Sequence, residues 1–157
     1  MAENRNIDRS GGNKVWCSYD YENSVFQMTS DQRNAHFRNW SEKLNDTEIQ
    51  KIERLNLYGD ELTQLSPNFG NQFNHISGLF LSQNNLKSLP LSIGNLTNLK
   101  SLHLNNNNLQ SLPKSIIHLT NLEFLCLLGN ESIPCYLKHY GFSGLNILDR
   151  YKKEMTK

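Results

Sequence analysis

The sequence predicts a solenoid, a one-dimensional stack of near-identical units closed by a cap at each end. Two observations carry this. A pattern written over residues 79–98 is written again over 102–121: Leu79, Leu81, Asn84, Leu86, Leu89, Pro90, Ile93, Leu96 and Asn98 recur 23 residues on as Leu102, Leu104, Asn107, Leu109, Leu112, Pro113, Ile116, Leu119 and Asn121. Leu125 then follows Leu102 at the same interval. A fixed period of this length marks units that each bury an apolar side only against a neighbour, so the chain is built to present a surface. The second observation is a change of character on either side of the repeats, where helix signals replace the period.

Bulk properties bound the function. At 157 residues, 37% hydrophobic and 20% charged, the chain reads as one compact soluble unit. A formal charge of +1 lacks the concentrated basic field that nucleic acid or an anionic membrane would call for, so neither is expected as a partner. The first residues contain no apolar signal-peptide core, and no apolar run approaches membrane-spanning length. Cys17, Cys126 and Cys135 are odd in number and lack C-x-x-C spacing, which fits reduced thiols and a cytoplasmic location. Asn39-Trp-Ser41, Asn45-Asp-Thr47, Asn95-Leu-Thr97 and Asn130-Glu-Ser132 match glycosylation acceptors, and without an export signal they read as coincidences of an Asn-rich chain. No phosphate loop, paired-carboxylate site or zinc spacing occurs, so no cofactor or metal is expected.

Residues 1–13 are polar and aperiodic and read as a tail. A cap region follows over 14–51. Val15, Trp16, Cys17, Tyr19, Tyr21, Val25 and Phe26 cluster there, with partial alternation that predicts an extended segment or loose hairpin. Tyr21-Glu-Asn23 also has the spacing of a phosphotyrosine motif read by SH2 domains, against the plainer reading that these aromatics pack on the open end of the stack. Thr29 with Gln32 fits a capping box, and Phe37, Trp40 and Leu44 fall at helical spacing, predicting a helix near 30–44 whose stripe covers the first unit. Asn45 to Glu48 repeats the cap logic and starts a further helical turn.

The repeats occupy 52–134 as four units, the last partial. The first, beginning Ile52-Glu-Arg-Leu55-Asn-Leu57, is one residue longer than the others, and the surplus is expected within 66–75. The fourth runs Leu122-Glu-Phe-Leu125-Cys-Leu127-Leu-Gly-Asn130 and then departs, with Ser132 where Leu86 and Leu109 stood. L-x-x-L-x-L-x-x-N-x-L followed by x-x-L-P-x-x-I-x-x-L-x-N resembles the leucine-rich repeat, and the 23-residue form with Leu-Pro resembles its intracellular, Ras-associated group. The resemblance covers about half the chain. It implies an α/β solenoid: a short arc with a parallel β-sheet on the concave face, and loops or 3₁₀ turns on the convex side.

Strand alternation agrees with that reading. The paired Leu of each unit point inward and the residue between them points out. Asn84, Asn107 and Asn130 stand where the chain leaves the strand, and an amide that both donates and accepts can satisfy the turns of adjacent units. Residues 135–157 read as a closing helical cap, resembling that of intracellular leucine-rich repeat proteins. Ser143 supplies an N-cap, Leu145, Leu148, Tyr151 and Met155 form one stripe, and Arg150, Lys152 and Lys153 fall in the later turns.

Register then names a candidate surface of outward residues: Arg54, Asn56, Tyr58, Phe80, Ser82, Ser101, His103, Asn105, Phe124, Cys126 and Leu128, with Gly78 in the same rows. Apolar and aromatic side chains exposed together on a polar rim mark an interaction site, so the expected function is non-enzymatic binding of a partner protein through this face by a monomer. The resemblance to the Ras-associated group implies a signalling scaffold or adaptor. Two alternatives stay open. One is a microbial or viral effector or adaptor acting through its N-terminal aromatic segment. The other is an enzyme using Cys126 and His103, which stand on neighbouring strands about 4.8 Å apart as a thiolate–imidazole pair.

Overall fold

The computed structural model describes residues 15–17, 35, 46–134, 148, 149 and 153. Within them lie β1 (Val15–Cys17), α1 (Asp46–Ile49), β2 (Arg54–Asn56), α2 (Phe69–Gln72), β3 (Gly78–Phe80), a first 3₁₀ turn (Leu91–Asn95), β4 (Ser101–His103), a second 3₁₀ turn (Lys114–His118) and β5 (Phe124–Cys126). The strands form one parallel sheet in sequence order, each beside its predecessor. Leu55, Leu79, Leu102 and Leu125 occupy one register row. They and Leu57, Leu81, Leu104 and Leu127 are fully buried, because alternate residues of a strand share a face. Each such side chain contributes roughly 1.5–3 kcal/mol on burial.

The pitch of the stack is set where the strands end. Main-chain bonds continue past the strands, from the Leu57 N–H to Phe80 O at 2.8 Å and from the Leu81 N–H to His103 O at 2.8 Å. There the chain turns, and an asparagine closes each turn after the first, where Asp60 stands in its place. Asn84 donates to Leu81 O of its own unit at 3.0 Å and to Leu57 O of the unit before at 2.7 Å, and accepts the Leu62 N–H at 2.8 Å. Asn107 repeats this with Leu104 O, Leu81 O and the Leu86 N–H, and Asn130 with Leu127 O, Leu104 O and the Leu109 N–H. All three asparagines are buried, so groups that the strands abandon keep partners without water. The preceding residue adopts a left-handed conformation in every unit: Gly59 at φ 71°, Gln83 at 61°, Asn106 at 55° and Gly129 at 71°. Only glycine takes that conformation freely, and at Gly129 a Cβ would also lie 2.1 Å from Asn106 Oδ1.

The return segments explain the surplus residue of the first unit. In the second and third units Ile93 and Leu96, and Ile116 and Leu119, close 3₁₀ turns with three-residue spacing, Leu96 N–H to Ile93 O and Leu119 N–H to Ile116 O. In the first unit Phe69 and Phe73 stand four apart, and the Phe73 N–H reaches Phe69 O at 3.1 Å in an α-helical turn. The extra residue therefore widens one turn from 3₁₀ to α and leaves the strand register untouched. The units stack closely on this side: a Cβ on Gly70 would lie 1.6 Å from Ser92 O, and one on Gly94 would lie 2.4 Å from Ser115 O. The third unit carries half-buried Ile117 in that place, packed against the core.

Beside the first unit, β1 pairs in parallel with β2, Val15 against Arg54, Trp16 against Leu55 and Cys17 against Asn56. Val15–Cys17 thus joins the sheet as an added strand. α1 follows the Asn45–Glu48 cap signal, with Ile49 buried and its carbonyl accepting from the Ile52 N–H and from His75 Nε2, each at 2.9 Å. Of the helix expected near 30–44, only Ala35 lies among the described residues, and it is helical. Its Phe37, Trp40 and Leu44 stripe, the tail, Tyr21–Asn23 and most of 135–157 lie outside them. Leu148 is helical and buried within the repeat core.

Asn107→Ala is expected to lower stability by about 2–4 kcal/mol, since it orphans several buried groups at once, whereas Asn108→Ala, exposed next door, stays within about 0.5 kcal/mol. Urea denaturation followed by circular dichroism checks the contrast.

Candidate functional site: the outward face of the sheet

Register brings the outward residues into three rows. Arg54, Gly78, Ser101 and Phe124 form the first, and Asn56, Phe80, His103 and Cys126 the second. Tyr58, Ser82, Asn105 and Leu128 continue beyond the strand ends. Arg54 and Tyr58 are exposed, and Asn56, Phe80, Ser101, His103, Asn105, Phe124 and Leu128 are half-buried. The Asn56 carboxamide accepts the Tyr58 N–H at 3.1 Å, which pins the end of its row.

At the centre stands a stack of three rings. The His103 imidazole lies 4.7 Å from the Phe80 ring at 22° and 4.6 Å from the Phe124 ring at 30°. Phe80 is the direct register partner of His103, but Phe124 belongs to the adjacent row, so its ring reaches diagonally to complete the stack. Parallel strands about 4.8 Å apart place successive rings near stacking distance. Gly78 clears the space beside them: a Cβ there would meet Arg54 Cγ and Phe80 Cε2 at 3.2 Å and Ser101 Oγ at 3.3 Å. The Arg54 stem and the Phe80 ring thus close over a position with no side chain of its own.

Burial between the rings lowers the His103 pKa below 6.5, and the Arg54 charge lowers it further. The imidazole is therefore neutral at pH 7. Arg54 is the single charged residue in the three rows, and among the described residues no carboxylate pairs with it. At the rim, exposed Lys100 and Glu123 approach to 3.6 Å, a contact of little energetic consequence.

Two of the expected surface residues are not on the surface: Ser82 and Cys126 are each only 5% exposed. Ser82 is short and its hydroxyl donates to Asn105 Oδ1 at 2.5 Å, so it lies down against its neighbour. Cys126 reaches one bond past Cβ, beside the taller His103, and its free thiol sits as a small apolar group. Cys126 and His103 do share a register position, but the imidazole stacks on Phe80 and Phe124, and among the described residues no hydrogen bond joins it to the thiol. The imidazole is thus engaged with the two rings. Nor, among the described residues, do three or more His, Cys, Asp or Glu gather to hold a metal ion. No helix of the described residues is long and apolar enough to cross a membrane.

The parallel sheet, the asparagine turns and the short helical returns define a repeat solenoid. More narrowly, the solenoid is a leucine-rich repeat arc. A leucine-rich repeat protein of Leptospira interrogans matches with 40% identity and a TM-score of 0.50, over 55% of this chain and 22% of that one. The leucine-rich repeat domain of the type III effector XopL matches with 35% identity and a TM-score of 0.47, over 54% of this chain and 31% of that one. The chain thus spans less than a third of the length of either. No family model matches, and no curated protein matches. Leucine-rich repeat domains are commonly protein–protein interaction modules.

The depressed His103 pKa gives a pH signature. Below pH 6.5 the unfolded chain binds this proton before the folded one does, so folding stability falls as pH drops from 6.5 through the folded-state pKa, and levels below it. Melting temperatures between pH 7.5 and 5 are expected to fall less steeply for His103→Gln than for the wild type.

Proposed function

We propose that the chain is a non-enzymatic interaction module of the cytoplasm that binds a partner protein through the concave face of its sheet, as a signalling scaffold or adaptor. One observation carries this reading. Phe80, His103 and Phe124 stack on one another and hold each other in place, yet each stays half-exposed. Aromatic side chains already fixed in place lose little freedom on binding, and such anchors supply most of the energy of protein interfaces. Tyr58, 43% exposed, and Leu128 extend the apolar area toward the strand ends, and Ser101 and Asn105 offer polar groups between. The cytoplasmic setting rests on the odd number of cysteines. A signalling role rests on the likeness of the Leu-Pro repeat to the Ras-associated group, which is analogy of fold.

Use of β1 as a strand beside β2 favours this reading over an N-terminal segment displayed as a free peptide, because Val15–Cys17 is engaged in the sheet.

Affinity capture from lysate of the source cells tests the proposal. Phe80→Asp/Phe124→Asp is expected to lose the partner, at about 2 kcal/mol or more, while Leu91→Asp, 73% exposed on the return side, retains it. A double variant that folds and keeps every partner contradicts the proposal.

A further inference from the structure

We infer that the segment seated on this face is acidic: an Asp or Glu side chain of the partner lies against Arg54 and His103, and an adjoining apolar side chain lies on Phe80 and Phe124. The inference rests on the proposed function and names the chemistry of the partner. Charge complementarity carries it. The three outward rows hold one permanent charge, the exposed Arg54 guanidinium, and no carboxylate of the described residues answers it. Its stem runs past Gly78, where a Cβ would also meet Phe80 and Ser101, and its charge is felt at His103.

Among the described residues, the titratable and charged groups around His103 are few. Arg54 and Tyr58 come from β2 and the residues after it, and Cys126 comes from β5. β3 brings none. Lys100 and Glu123 precede β4 and β5 and are engaged with each other. The Arg54 charge disfavours a second positive charge on the imidazole. A carboxylate arriving between the two groups removes that disadvantage and favours imidazolium, which donates from both ring nitrogens. Binding therefore takes up a proton, and by linkage it tightens as pH falls between the pKa of His103 in the complex and that in the free chain. A neutral or basic segment would leave Arg54 unanswered and show no such uptake.

Selection of displayed random dodecapeptides on the full chain, at pH 6 and at pH 8, tests the inference. Sequences with Asp or Glu beside an aromatic or aliphatic residue are expected at pH 6. The best of them, synthesised with both ends capped, is expected to bind Arg54→Gln about tenfold more weakly than the wild type, as loss of a charge-assisted hydrogen bond implies. Its Kd on the wild type is expected to rise about threefold or more from pH 6 to pH 8, and His103→Gln to abolish that rise. Circular dichroism melts establish that each variant is folded. Enrichment of uncharged or basic sequences, dependence on a free C-terminal carboxylate, indifference to Arg54→Gln, or recovery of no peptide would each overturn the inference. Non-acidic peptides that Phe80→Asp/Phe124→Asp fails to bind would sink it while leaving the proposed function standing. Peptides that the double variant binds unchanged would sink both.

Discussion

A buried asparagine amide, donating to carbonyls of two successive units and accepting an N–H from the earlier one, is the interaction on which this molecule depends. Asn84, Asn107 and Asn130 each make that set of bonds. A three-residue strand gives little cohesion alone, and leucine burial, being non-directional, is indifferent to a slight sliding of one unit on the next. The amide is not indifferent, because its bonds exist at one separation and one alignment of neighbouring units. The left-handed residue before each ladder position aims the chain into that bond.

What the ladder fixes on the inside, the outer face inherits. Strands held in one register put Phe80 beside His103, and Phe124 completes the stack from the next row. The leucines, the prolines and the ladder asparagines recur in the repeats and specify the solenoid. Residues that differ between units at matching positions, Phe80 against His103 and Gly78 against Ser101 and Phe124, give the face its chemistry. A solenoid of this kind separates the two tasks, so outward residues can vary without disturbing the turns beneath them.

Much of this was legible in the chain because each unit writes the same constraints again. The period places Leu55, Leu79, Leu102 and Leu125 in one row, and strand alternation then names the outward residues. Other features escape a periodic reading. Side-chain reach is not periodic, so Cys126 and Ser82 read as exposed though both are buried, and the diagonal lean of Phe124 is invisible. Gly78 reads as a gap, whereas it is the clearance that lets Arg54 and Phe80 close together. Gly59 and Gly129 flank the ladder positions of the first and last units and signal the left-handed turn, but Gln83 and Asn106 adopt it without that signal. β1 lies outside the repeat, so pairing of Val15–Cys17 with Arg54–Asn56 had only a cluster of apolar residues to announce it.

The claim that joins these levels is that the ladder delivers an ordered ring stack on the face of the free protein. The chemical shift of the His103 Cε1 proton measures it most directly, because a proton held between aromatic rings feels their ring currents. In the folded wild type at pH 7.5 that resonance is expected well upfield of its position in the unfolded chain, and Phe80→Leu/Phe124→Leu is expected to return it. A wild-type resonance at the unfolded position, unchanged in the double variant, would contradict the account.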